Sequence, residues 1–163
     1  MSDLINPGLV LLDRDLGGST DSVIRALAAT VHAEGRAKDT DSLAADALAR
    51  EAKNATGIPG GIGIPHCRSE AVTQATLVMA RLAPAVDFGA KDGPADIVFF
   101  IAAPAGADQE HLKLLSKLAR SLMKKPFVAS LRAAQSPQEV VDIVDRALGL
   151  APPADDAAPA TAA

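Results

Sequence analysis

Cysteine occurs once, at Cys67, and tryptophan and tyrosine do not occur at all. One cysteine excludes an intrachain disulfide and a cysteine-based zinc cluster, and it suits a reducing compartment. Four phenylalanines make up the whole aromatic content, so the stacking platforms of single-strand nucleic-acid binders are missing. Excess positive charge is missing too: 16 Lys and Arg stand against 20 Asp and Glu, for a net charge of −4. No basic stripe points to a nucleic-acid partner. No apolar run approaches the roughly 20 residues of a membrane span. Met1-Ser2-Asp3-Leu4 lacks the basic region and apolar core of a signal peptide. These absences predict a soluble, cytoplasmic chain.

What is present suits one folded domain. The 163 residues are 48% hydrophobic and 22% charged, enough to bury a substantial core. Leu9 to Leu12 reads as a short strand. Val23, Ile24, Leu27, Ala28 and Val31 recur at helical spacing after Thr20, with Gly35 as the stop. A second helix, opened at Thr40 or Asp41, carries Leu43, Ala44, Ala47 and Leu48 on one face and ends near Asn54. Thr76–Leu82 and Asp96–Ala102 predict strands, the latter a buried central one. Pro84, Gly89 and Gly93-Pro94 mark turns between them. Asp108 caps a helix with Leu112, Leu115, Leu118, Ala119 and Leu122 on its apolar face; Lys124, Lys125 and Pro126 close it. A short helix over 127–134 follows. Ser136-Pro137-Gln138-Glu139 reads as a capping box for a last helix burying Val140, Val141, Val144 and Leu148, with Gly149 ending it. Residues 151–163, APPADDAAPATAA, offer too little apolar surface to offset the entropy of ordering and predict a flexible linker or tail. Either a longer parent protein or an ordinary disordered tail is compatible with that composition.

The stretch Gly57-Ile58-Pro59-Gly60-Gly61-Ile62-Gly63-Ile64-Pro65-His66 holds four glycines and two prolines in ten residues. It predicts a shaped loop leading into an extended run that ends on a histidine. No Lys-Ser/Thr pair follows, so it is not a phosphate-binding P-loop. His66 sits where a dinucleotide fingerprint needs glycine, and the stretch follows a helix. A metal site built from His66, Cys67 and His111 is disfavoured, because neighbours in an extended chain face opposite ways. His32, within the first helix, is expected to take a surface or capping role.

A phosphoryl acceptor fits better. It needs a neutral imidazole, and donors for the phosphoryl oxygens. Arg50, at the end of the preceding helix, supplies a fork matched to phosphate and a cation that disfavours imidazolium. Loop N–H groups are further candidate donors.

Arg50-Glu51-Ala52, Thr56-Gly57-Ile58, Gly63-Ile64-Pro65-His66, and Glu110-His111-Leu112 ahead of Leu114-Leu115-Ser116-Lys117-Leu118-Ala119-Arg120 together resemble the enzyme IIA domain of the fructose–mannitol family. That family serves the bacterial phosphoenolpyruvate-dependent sugar phosphotransferase system. The resemblance spans about Leu9 to Leu150 and, through 87–104, is nearest the fructose branch. It implies an α/β (α+β) fold: a single domain over 1–150, with a mixed β-sheet and helices on both faces. It implies that His66 accepts a phosphoryl group from the histidine phosphocarrier protein and passes it to a cysteine of enzyme IIB, with the sugar crossing through membrane enzyme IIC. His111 and Arg50 would stabilise the phosphoryl group. No cofactor and no metal are implied, nor any nucleic-acid partner. Residues 151–163 would tether enzyme IIB, holding a cytoplasmic domain at the inner face of the membrane. Two positions depart from the common wording: Cys67 where glycine is frequent, and Gly63 where alanine is frequent. Cys67 raises redox sensitivity without an assigned role. Ile58 and Ile62 are candidates for a donor-docking surface, though simple loop anchoring is the favoured role. Other readings are the nitrogen-related regulatory branch of the family, a binding module that has lost the relay, and a metallohydrolase.

Overall fold

Residue patterning along the chain translates into five helices and six strands among the described residues. The structure, a computed structural model, describes residues 4–106 and 109–149, the side chains of 109–112 excepted. After a 3-10 turn at Pro7–Leu9 come β1 (Val10–Arg14), α1 (Thr20–Ala33) and α2 (Thr40–Lys53). Short strands β2 (Gly57–Ile58), β3 (Ile62–Gly63) and β4 (His66–Ser69) follow, then the long pair β5 (Thr76–Val86) and β6 (Ala95–Pro104). The described chain ends with α3 (Gln109–Leu122), α4 (Lys125–Ala133) and α5 (Pro137–Leu148).

Most elements start and stop for local reasons. Helix α1 is capped one residue before the predicted Thr20. The Ser19 hydroxyl oxygen accepts from the Ser22 N–H, and Ser22 reciprocates on the Ser19 N–H. Thr20 instead donates its hydroxyl to the Asp87 carbonyl at 2.6 Å. Asp39 caps α2 by accepting from the Ser42 N–H at 2.9 Å. Ser136 caps α5, but Glu139 reaches back to the Gln135 N–H and not to that of the cap itself. Gly149 closes α5 in the left-handed region at φ 73°. The expected cap at Asp108 and the linker over 151–163 lie outside the described residues.

The sheet is mixed, in the order β1-β5-β6-β3-β2, with β4 also on β6. Strand β6 is central. It pairs antiparallel with β5 on one side and parallel with β3 and β4 on the other. That explains its continuous apolar run. Ile97, Val98, Phe99, Phe100 and Ile101 are fully buried, each contributing about 1.5–3 kcal/mol relative to exposure. Strand β5 runs four residues past the predicted Leu82, through Pro84. The proline is exposed and sits where the register with β6 is irregular, so no ladder donor is lost there. Helices cover both faces. Helices α1 and α2 pack together, α1 over β5 and β6 and α2 against β4; α3, α4 and α5 form the second group, with α5 on β1.

Strands β3 and β4 are one strand interrupted. Ile62 and Gly63 face Ile97 and Val98, and His66 and Cys67 face Ile101 and Ala102, at an unchanged offset. Pro65 has no N–H, which breaks the outer ladder. Its carbonyl still accepts from the Ile101 N–H at 3.1 Å, so the register survives the break.

Candidate functional site

The glycines do not stand at His66. Gly60 and Gly61 form the turn of the β2–β3 hairpin, both at positive φ (101° and 78°). This turn is tied to the start of β6. The Gly60 N–H donates to Asp92 at 2.9 Å, and the Gly61 carbonyl accepts from the Asp96 and Ile97 N–H groups. Arg132 of α4 donates to the Gly60 carbonyl at 2.6 Å and pairs with both Asp96 oxygens. His66 lies five residues farther on, about 16 Å of extended chain at about 3.3 Å per residue. The Gly60 N–H serves Asp92, and the turn shapes the hairpin. The Gly57 and Ile64 N–H groups are likewise taken, by the Phe88 and Thr56 carbonyls, so these are not spare donors for a phosphoryl group.

His66 opens β4 and is 9% exposed. Its Nδ1 lies 2.8 Å from the carbonyl oxygen of Ile64. A carbonyl can only accept, so Nδ1 carries the proton and the lone pair of the neutral ring is on Nε2. Burial pushes the imidazole below the usual histidine value. The Ile64 hydrogen bond opposes that shift, the Arg50 charge adds to it, and the Glu51 charge opposes it. The result is a neutral imidazole at pH 7.

Arg50 and Glu51 are neighbours in the last turn of α2. Arg50 donates to the Asn54 carbonyl at 3.3 Å, which holds its stem along the helix end. Glu51 accepts from Thr56 twice, from the N–H and from the hydroxyl, both at 2.8 Å. His111 is on α3, its side chain outside the described residues. The structure thus places Arg50 within electrostatic reach of His66. His32 is exposed near the end of α1, as a surface role requires.

Cys67 and Ser69 point to the face opposite His66, as strand alternation demands. Ser69 donates to Asp46 of α2 at 2.6 Å. Cys67 is 5% exposed, and burial, with the Asp46 carboxylate adding to it, pushes its thiol up to about 12. Such a thiol is neither a nucleophile nor an easy target of oxidation at neutral pH. The two isoleucines also separate. Ile62 is 1% exposed and anchors the sheet. Ile58 lines an open groove of about 1030 Å³ with Ile64, Leu122, Met123, Val128 and Lys125. Met123 is 82% exposed.

Sequence reasoning named Glu51 and Thr56 as part of a motif and gave them no task. Phe88 stood within the fructose-like stretch 87–104 and was likewise given no task. The Phe88 carbonyl accepts from the Gly57 N–H at 2.9 Å, and its ring leaves only 2.9 Å for a side chain at Gly63. The departure from alanine at that position is thereby explained. The Phe88 contacts are sequence-distant pairings, which no local pattern carries; Glu51 and Thr56 lie five residues apart, and their bonds form because the chain turns back at the end of α2.

The model of the phosphoenolpyruvate-dependent sugar phosphotransferase system, EIIA 2, matches residues 3–147. The chain belongs to this family. Its members are phosphoryl-transfer components of that system. The chain is 41% identical to the PTS system fructose-specific EIIA component of Haloferax volcanii, over 68% of its own length and 72% of that protein. It is 33% identical to the PTS system fructose-specific EIIABC component of Bacillus subtilis over 77% of its length, but spans only 20% of that larger protein. Among solved structures, the nitrogen regulatory protein IIA-Ntr of Neisseria meningitidis superposes with a TM-score of 0.80 at 31% identity, covering 87% of this chain and 97% of that one. The fold is therefore that of a solved nitrogen regulatory IIA protein, while the sequence relatives include fructose-specific components. No described helix is long and apolar enough to cross a membrane.

Proposed function

We propose that this EIIA chain carries a phosphoryl group on Nε2 of His66, taken from the histidine phosphocarrier protein and passed to a cysteine of a fructose-type enzyme IIB. The observation that carries the reading is the 2.8 Å bond from Nδ1 of the buried His66 to the Ile64 carbonyl. It puts the nucleophilic lone pair on the other nitrogen and keeps the ring in one orientation. In the acceptance step, Nε2 forms a bond to phosphorus while the bond from phosphorus to the donor imidazole breaks. The donor nitrogen keeps that electron pair and takes a proton. In the second step the enzyme IIB thiolate attacks, and His66 leaves as the neutral ring. Arg50 neutralises the phosphoryl oxygens, and His111 of α3 is assigned the same task. The groove lined by Ile58, Ile64 and Met123 is the docking face for the partner proteins. It is apolar, it carries an exposed methionine suited to adaptable contacts, and Ile64 links it to the histidine. Residues 151–163 tether enzyme IIB and raise its effective concentration. The domain itself covers 1–150. It works in the cytoplasm, at the inner face of the membrane through its partners.

The test is intact mass after incubation with phosphoenolpyruvate, enzyme I and the phosphocarrier protein. The expected result is an acid-labile gain of one phosphoryl group, lost in His66→Ala and slowed in Arg50→Ala and His111→Ala. No gain with active donors would overturn the reading. A regulatory role is the second reading, favoured by the nearly complete coverage of the Neisseria IIA-Ntr chain. Onward transfer to a fructose enzyme IIB cysteine supports the transport role; acceptance without that transfer supports regulation.

A further inference from the structure

We infer that Glu51 and Thr56 are positioning residues for the His66 ring, acting as a side-chain clip that aims the Ile64 carbonyl at Nδ1. This inference rests on the reading of His66 as the phosphoryl carrier. The clip starts where α2 ends. Both Glu51 carboxylate oxygens are engaged by Thr56, Oε2 by its N–H and Oε1 by its hydroxyl, each at 2.8 Å. Thr56 is 6% exposed, so little water competes for these bonds, and a charged acceptor makes them strong.

Thr56 is thereby held against the outer edge of the interrupted strand. Its carbonyl accepts from the Ile64 N–H at 3.2 Å. On the other side of Ile64, the Pro65 carbonyl is held by the Ile101 N–H at 3.1 Å, and the ring of Pro65 fixes its own φ. The peptide plane joining Ile64 to Pro65 is thus pinned from both ends. This plane carries the carbonyl that accepts the hydrogen bond from Nδ1–H. The plane has no N–H of its own, since Pro65 supplies its nitrogen. Cutting the first link frees Ile64 at its N-terminal side. The Ile64 carbonyl then rocks away, and the ring loses its preference for the tautomer with the lone pair on Nε2. The effect passes through the backbone, since neither Glu51 nor Thr56 needs to touch the phosphoryl group.

The charge of Glu51 has a second consequence. It opposes the effect of Arg50 on the ring, so removing it lowers the pKa of His66 further. A merely structural role for the clip would shift unfolding without moving the ring signals. The test uses the ring nitrogens themselves, read by long-range proton–nitrogen NMR of the full chain at pH 7.5, beside the rate of phosphoryl acceptance. Thr56→Val removes one hydroxyl at nearly constant volume, Glu51→Gln removes the charge, and Thr56→Ser keeps both donors. We expect Thr56→Val and Glu51→Gln to show a mixture of tautomers and to accept on the order of tenfold to a hundredfold more slowly. Glu51→Gln should also titrate lower, and Thr56→Ser should match the wild type in both readouts. A wild-type tautomer in Thr56→Val and Glu51→Gln overturns the inference, whatever their rates. So does a scrambled tautomer with an unchanged rate. If the wild type itself accepts no phosphoryl group, the carrier reading fails, while the tautomer comparison still decides whether the clip aims the ring.

Discussion

At His66, the ring is held neutral by its surroundings. Burial and the Arg50 cation depress its pKa, and the Ile64 bond and Glu51 only partly oppose them. The consequences for pH follow from linkage. Below about 6.5, the ordinary histidine value, the unfolded chain binds a proton at this ring that the folded chain still refuses. Stability from this group is therefore complete above 6.5, and it is lost as pH falls from 6.5 through the folded pKa. The same protonation removes the nucleophile. Phosphoryl acceptance should thus follow a single ionisation with a midpoint below 6.5 and a plateau at neutral pH. Titration of the His66 ring by NMR beside the rate profile checks this; a midpoint above 6.5 would contradict the burial argument. Cys67 shows how alternation along a strand divides neighbours. One residue from the proposed nucleophile, it faces α2 and Asp46 and is inert.

At the scale of the element, the interrupted strand β3–β4 depends on a close approach. Gly57 and Gly63, paired across the β2–β3 hairpin, both lie against Phe88. A side-chain carbon at Gly57 would meet the Phe88 carbonyl oxygen at 2.7 Å, and one at Gly63 would meet the ring at 2.9 Å. Phe88 is 1% exposed, so its ring cannot swing into solvent without opening a cavity. Gly63→Ala is expected to destabilise the protein by about 1–3 kcal/mol through overpacking. Adding Phe88→Leu should recover part of that loss, giving a favourable coupling of about 1 kcal/mol. Urea unfolding of the two single variants and the double variant measures this. Additive effects would mean that the contact is relieved elsewhere. The mirror of this tightness is the β2–β3 turn, where Gly60 and Gly61 answer to Asp92, Asp96 and Arg132, far along the strand from the chemistry.

Across the whole molecule, Arg81 joins three elements. From β5 it pairs with both oxygens of Asp13 in β1, at 2.7 and 2.9 Å. Its remaining terminal nitrogen donates to the carbonyls of Leu131, Arg132 and Ala134 at the end of α4. Asp13 reaches this pairing at φ 57°, where the register with β5 slips. The Asp13 side chain is 64% exposed and Arg81 only 13%. The ion pair alone is therefore worth little, and the capped carbonyls carry most of the effect. Lysine cannot span both sets. Arg81→Lys should cost about 2–3 kcal/mol, seen as a lower urea midpoint with an unchanged slope. A shift below about 0.5 kcal/mol would mean that water replaces arginine at the helix end.

The helices and the central strand were legible because burial leaves a local period. The apolar sets of α1, α2 and α5 and the run from Ile97 to Ala102 are patterns within a dozen residues. His66 and Arg50 were legible as residue types in a motif, and Ile64 as a pre-proline residue that must be extended. Tertiary structure alone decided how these parts act. It tied the glycine turn to the start of β6, selected Nδ1 as the protonated nitrogen, and set Phe88 against Gly63. Each of these depends on which backbone groups meet: Ile64 with Thr56, Pro65 with Ile101, Gly57 with Phe88. Such pairings join residues eight to thirty-six positions apart. Hydrogen-bond direction and close approach are properties of the folded neighbourhood, and they leave no periodic trace along the chain.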